Sequence, residues 1–286
     1  MGFICGKAQI DPIFISDLPI DIDESSGLQK TGNNSFWSHN DTDSDPLIFN
    51  LDASGNFLEE IVLQGVSHVD LEDLAYDGEI FFYVGDFGNN LNDRTDLKIY
   101  RIPNPDLLSD FANPEVINFT LSDQTEFPPT ENEQNFDIEA MFYFGGNLHL
   151  FSRNRSNPFD GIIKHYRLNP EPGNQVAELV NSTFGNLSSN HSSITAADVN
   201  ESGSRIALLS NSSVFIFRNF DGDNFFGGDL TYNFFNTTKP REGIAFIDNC
   251  KVRISQEADD FGNLGQVEEL NSCDIVLSDE AADKAK

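Results

Sequence analysis

The chain has 286 residues and sets 17 basic side chains against 47 acidic ones, a formal net charge of −30. That balance argues against nucleic acid and anionic membrane surfaces as partners, because both need Lys and Arg to displace counterions from phosphate. It suits either a cation-binding protein or a strongly solvated acidic surface. No apolar run reaches the roughly 18 residues of a membrane span, and 26 Phe against 2 Met fit pleated, half-buried strands better than helices.

Residues 1–9, MGFICGKAQ, resemble the end of an export signal. A small-residue site, Gly6-Lys7-Ala8, precedes Gln9, so the mature chain is expected to begin near Gln9 and Cys5 to leave with the leader. Ile10 to Ile22 reads as extended. Its prolines confine it to a sheet edge, where it is expected to pair with the last repeat.

Five similar units follow. The second shows the pattern best: Glu72-Asp73 opens an apolar run, Asp77-Gly78 turns, and Ile80 to Val84 runs into the acidic, glycine-rich loop Gly85 to Asn90. Asp-Gly tolerates the positive φ of a tight hairpin. The first unit runs from Glu24 through Phe36 to Asp41, Leu47 to Leu51 and Phe57 to Val62. In the second unit, Leu97 to Ile102 and Glu115 to Leu121 are the outer strands. The third opens at Asp137 to Met141, the fourth at Ser193 to Asp198 and the fifth at Arg241 to Ala245. Outside strands, only Pro105 to Ala112 and the charged tail 278–286 look helix-like. Anchored on Glu24, Glu72, Glu139, Thr195 and Glu242, the spacings are 48, 67, 56 and 47 residues. Repeats of this size made of short strands predict an all-β fold, a β-propeller over residues 10–277 with five blades, or six if a degenerate blade hides in a longer unit. Its last outer strand is expected to be Cys273 to Leu277 or the N-terminal segment. Cys250 and Cys273 remain as an even pair in an exported chain and predict one disulfide.

In a propeller the first strand of each blade lines the central channel. Glu24, Glu72, Glu139 and Glu242 are therefore expected to converge, joined by Asp41, Asp86, Asn154, Asn211 and Glu257 at the ends of second strands. Carboxylates so placed bind a cation, pair with Arg or take up protons; otherwise they cap backbone N–H groups between blades. Oxygen ligands without Cys or His favour calcium or magnesium. Asp41-x-Asp43-x-Asp45, with Asp52 at the twelfth place, resembles the start of an EF-hand loop, but Pro46 stands where Gly is needed. His39 is the histidine in a repeated acidic loop and so the candidate acid/base. Arg94 and Arg153 are candidates to hold an anionic group. No GxSxG, HExxH, Walker or GxGxxG phrase occurs.

The ordered series ESSGL, FWSHNDTD, DLEDLAYDGEIFFYVGDFGNNLNDR, KIYRIPNP, DIEAM, ITAADVNESGSRIALLS, REGIAF and ISQEAD is similar to that of a largely uncharacterised bacterial family of exported β-propeller-like proteins. That family's phrases are WTHNDSGG, DWEDIA with YVGDIGDN and IYR, DAEAL, ITAADISPDG and QGEAI. The chain departs from them at Leu71, which replaces Trp, at Asp43 and Ser44, which replace glycines, and at Asn89, which replaces Asp. The resemblance implies a propeller fold and export. The expected role is a binding module of the cell envelope or exterior, periplasmic or on the cell surface. Its partner would be a small molecule or an envelope protein, and the chain would act as a monomer or within an envelope complex. The rival expectation is a calcium-dependent hydrolase of phosphoesters or lactones at the channel mouth, with His39 and Arg94 catalytic.

Overall fold

The computed structural model describes residues 7–8, 10–41, 45–184, 188–259 and 261–275. Most of the expected leader, the charged tail 278–286 and the departures at Asp43 and Ser44 lie outside the described residues.

Five four-stranded antiparallel units follow one another. The first is Ser25–Gly32, Ser35–Asn40, Leu47–Leu51 and Phe57–Leu63. The second is Leu71–Tyr76, Phe81–Asp86, Lys98–Pro103 and Glu115–Leu121. The third is Asp137–Phe144, Asn147–Arg153, Ile162–Leu168 and Gly173–Phe184. The fourth is Ile194–Val199, Arg205–Ser210, Ser213–Arg218 and Asp229–Phe234. The fifth takes Arg241–Phe246, Lys251–Gln256 and Gln266–Asn271 from the end of the chain and Ile13–Asp17 from its start. The expected edge strand thus closes the last unit, with Ile13 opposite Glu269 and Asp17 opposite Gln266. Ser272–Asp274 is a single 3-10 turn.

Each first strand packs on the next, and Arg241–Phe246 packs back on Ser25–Gly32, so the ring is closed. A blade alone cannot bury its faces; stacking neighbours builds the core. Five apolar clusters lie between successive units, for example Trp37 with Phe82 between the first and second and Leu28 with Ala245 between the fifth and first. Cys250 and Cys273 form the expected disulfide, with Cα atoms 5.1 Å apart; closing this loop stabilises by about 3 kcal/mol in the chain-entropy model. The helix-like stretch 105–112 is instead one 3-10 turn, Pro105–Leu107, and a short strand, Phe111–Ala112, parallel to the outer strand of the first unit. Three residues are too few for the repeated i→i−4 bonds that would sustain an α-helix.

One irregularity recurs and sets up the site. In every unit the pairing of first and second strands is broken near its start: between Ser26 and Gln29, Leu71 and Leu74, Ile138 and Ala140, Ile194 and Ala196, and Arg241 and Gly243. A bulge leaves its extra residue out of the ladder and re-aims its side chain. The extra residues are Gly27-Leu28, Glu72-Asp73, Glu139, Thr195 and Glu242.

Candidate functional site

The bulged residues lie at the starts of first strands, on the same end of the ring as the ends of the second strands. There the carboxylates gather in two triads that share one member. Asp41, Asp70 and Glu72 can each place an oxygen within 4.8 Å of the others, and so can Glu72, Asp137 and Glu139. Glu72 is 5% exposed, Asp137 0% and Glu139 2%, so these are desolvated groups. Glu242 and Glu257 face Glu139 and Arg153 from the fifth unit. Seven carboxylates thus meet two guanidinium groups. Arg153 Nη1 donates to Glu139 Oε2 at 2.9 Å; Arg155 donates from Nε to Asp137 Oδ2 at 2.6 Å and from Nη2 to Glu139 Oε1 at 2.8 Å.

Excess negative charge in a dry site favours the protonated acids. Burial, then Asp70, pushes Asp41 up to about 9. Burial, then Glu139, holds Glu72 and Asp137 well above the carboxylate range. Burial outweighs Arg153 in raising Glu242, and it lifts Glu257 to about 7. Burial alone would lower Arg153, but Glu139 and Glu242 more than compensate and raise it. Without a cation, the mouth must hold protons that a cation would displace.

The predicted residues divide. Asp41, Glu72 and Glu139 are in the triads and Glu242 is beside them. Glu24 is exposed and outside both triads; its carbonyl accepts the Asp41 N–H at 3.0 Å, and the bulge of its unit falls on Gly27. Asp86 is fully buried behind the mouth. Its Oδ1 accepts from the Val69 and Asp70 N–H groups, each at 3.1 Å, and from Arg94 Nη2 at 3.0 Å, so it fixes the segment that presents Asp70. Arg94 also donates to the Gly88 carbonyl at 2.8 Å and to Asp96 at 3.1 Å, which ties it to the glycine-rich loop. Asn154 donates to Asp160 and to the Ile162 carbonyl, and Asn211 gives its carbonyl to Arg241. Asp52 accepts from the Ser54 and Asn56 N–H groups, a turn of its own, while Asp41 sits with Asp70 and Glu72. The two ends of the EF-hand-like stretch therefore serve different places.

His39 is 0% exposed and burial lowers it to about 4, so it is neutral at pH 7. Nδ1 lies 2.9 Å from the Asn40 carbonyl. Its Nε2 lies 3.0 Å from where a Cβ on Gly27 would stand, and Gly27 has φ +64°, so only glycine fits that contact.

Two acids not assigned as site groups from sequence lie deeper. Asp73 accepts from the Leu74, Met141 and Ala197 N–H groups at 2.8, 2.7 and 3.2 Å, and so spans first strands of the second, third and fourth units at the ring centre. Asp198 accepts the Phe246 N–H at 2.7 Å and joins the fourth unit to the fifth. Their signal in the sequence was an Asp within the bulge, in EDLA, or three residues after it, in AADV.

Fold and site together define an all-β, propeller-like protein with a carboxylate-rich mouth. No family model and no curated protein matches the chain. Among solved structures, a PQQ-bound aldose sugar dehydrogenase from Streptomyces coelicolor is similar over 90% of this chain and 97% of its own, with a TM-score of 0.52 at 10% identity. A functionally unknown protein from Desulfotomaculum acetoxidans covers 86% of this chain and 70% of its own at 8% identity, but its TM-score of 0.38 carries no argument. At 10% identity the first likeness shows the propeller fold alone. Among the described residues, no helix is long and apolar enough to cross a membrane.

Proposed function

We propose that the five units are the five blades of one propeller of the exported family described above, and that it serves as a ligand-binding or protein-interaction module of the cell envelope. A hard divalent cation, calcium, sits in its acidic mouth. The observation that carries the cation is the pair of carboxylate triads sharing Glu72. Their all-oxygen character suits calcium, which takes six to eight such ligands. The cation would bind through Asp41, Asp70, Glu72, Asp137 and Glu139. It would supply a charged anchor for an oxygen-bearing ligand, while Arg153 and Arg155 balance the far side. The sugar dehydrogenase's cofactor is not carried over, because the likeness reaches the fold only.

The second reading is a calcium-dependent hydrolase of a phosphoester or lactone, favoured by the two arginines beside the carboxylates, which suit a developing anion. In it, a calcium held by the triads would supply the acidity that activates water, since His39 is buried and neutral.

Thermal unfolding in chelator and then with calcium tests the cation. At a free concentration 100-fold above Kd, binding stabilises by about 2.7 kcal/mol, a rise of about 5–10 °C for a domain of this class. Glu72→Gln, which removes the shared ligand, is expected to abolish the rise. An unchanged midpoint in the wild type would sink the cation site and both readings built on it.

A further inference from the structure

A cleft of about 380 Å³ opens between residues 123–136 and the segment 160–164 of the third unit. None of the triad carboxylates lines it, so it is separate from the mouth. Its size falls in the range of small-molecule sites, roughly 300–1,000 Å³. Its walls are fixed to each other. The Asn157 N–H donates to the Glu131 carbonyl at 2.8 Å, the Arg155 N–H to the Gln134 carbonyl at 2.9 Å, and Asn135 Nδ2 to the Ile162 carbonyl at 2.8 Å. The cleft is therefore preformed, which spares a ligand the cost of ordering it.

Its charge selects the ligand. Lys164 already has its partners: Nζ donates to Asp123 Oδ2 at 2.7 Å and stands 3.6 Å over the Phe136 ring. An ammonium held by a carboxylate and an aromatic face is a recognised pairing, and here the protein supplies that ammonium itself. The same lysine covers the ring face on which a sugar would stack. Glu126, Glu133 and Asp160 also line the cleft, and among the described residues none of them has a Lys or Arg ion-pair partner. Asp160 fixes one oxygen on Asn154 and the Ile162 N–H; Glu133 accepts only from Thr130 Oγ1. Once internal pairs are counted, the cleft offers three carboxylates and no unmatched cation.

We infer that this cleft binds a small alkylammonium ligand, a diamine, with one ammonium between Glu126 and Glu133 and the other toward Asp160. The test is calorimetric titration of the full chain with 1,4-diaminobutane, in chelator and 0.15 M NaCl. Chelator makes the result independent of the cation in the mouth, so this proposal and that one fail separately. The expected result is one-to-one saturable binding, weakened at least tenfold by the double variant Glu126→Gln/Glu133→Gln. Both glutamates are exposed, and glutamine still accepts from Thr130, so the fold is kept. A matched variant, Glu60→Gln/Glu201→Gln, removes the same charge at exposed positions elsewhere and is expected to bind as the wild type does. Absence of saturable heat, or equal weakening in both double variants, would overturn the site and reduce the effect to the chain's general negative charge.

Discussion

The mouth and the interior of the third unit both bury titratable groups, and they do so in opposite senses. At the mouth, like charges are crowded and the acids keep protons. In the third unit, His149 and His165 are 1% and 0% exposed and their rings meet, Nδ1 of His149 lying 2.9 Å from Nε2 of His165. A carbonyl only accepts, so His149 Nε2 carries the proton toward Phe144 at 3.1 Å, and His165 Nδ1 lies 3.2 Å from Asn181 Oδ1. Phe225 lies 5.0 Å from His149 and 4.8 Å from His165, and Phe151 stacks on His165 at 4.9 Å. Burial lowers His149 to about 4 and His165 to about 3. The pair is neutral at pH 7, caged by rings, and its ring nitrogens face protein atoms. The mouth is complete only with protons or a cation, which is the physical mark of a working site against a structural one.

The sharpest way to break that comparison is to delete a group from each. Phe225 is fully buried among the rings of the third and fourth units, and Phe225→Ala is expected to cost about 3–5 kcal/mol in urea unfolding. Glu72→Gln in chelator is expected to act with the opposite sign, stabilising by about 1 kcal/mol, because burial and the neighbouring acids force folded Glu72 to take up a proton that the unfolded side chain has lost, whereas glutamine is neutral in both states. If both variants destabilise, the mouth is a structural network like the interior and the comparison fails.

The pH dependence should separate the two regions next. Unfolded aspartate ionises near 3.9, whereas folded Asp41 keeps its proton to about 9. The mouth's contribution is therefore full below about pH 4 and is lost as pH rises toward 9. Unfolded histidine gains its proton near 6.5, but folded His149 and His165 resist until about 4 and 3. Their contribution is present above about pH 6.5 and is lost as pH falls. In chelator, unfolding midpoints should fall between pH 7 and 9, and added calcium should flatten that limb while leaving the acid limb unchanged. A calcium effect on the acid limb alone would contradict the assignment of the two limbs.

The fold was legible because its grammar is local. Alternating strands, Asp-Gly turns and the repeat near 50 residues each depend on neighbours in sequence. Pro12 and Pro19 marked an edge strand, and the even cysteine pair marked the disulfide. The convergence of Glu72, Glu139 and Glu242 was also legible, since a repeat in sequence becomes a ring in space. The bulge that turns them inward was not, because a bulge is a property of two paired strands and the sequence shows one at a time. Asp70 and Asp137 share the place two residues before an anchor glutamate, but the packing of the second unit on the first brings Asp70 to Asp41, and the hairpin of the third unit brings Arg155 to Asp137. Asp86 and Arg94 were visible as an acidic loop and a nearby cation. That they pair with each other at 3.0 Å, within a group that also holds Asp96 and Lys98, is a matter of packing.

The smallest effect is expected at Glu24, and it tests the register most directly. By sequence, Glu24 is the first unit's counterpart of Glu72, 48 residues earlier. By structure, the counterpart is the bulge at Gly27-Leu28 between Ser26 and Gln29, three residues further on. Gly27 stands where a side chain would strike His39, Asp73 and the Glu72 carbonyl, so the first unit cannot present an acid there and contributes Asp41 from its second strand instead. Glu24 is exposed and acts on the mouth as a like charge toward Glu257. Glu24→Gln should therefore change calcium affinity less than about twofold, within the 0–1 kcal/mol of exposed charge pairs, while Glu72→Gln removes binding. A Glu24→Gln loss as large as that of Glu72→Gln in the same titration would mean that Glu24 is a ligand and that the sequence register, not the bulge, marks the site.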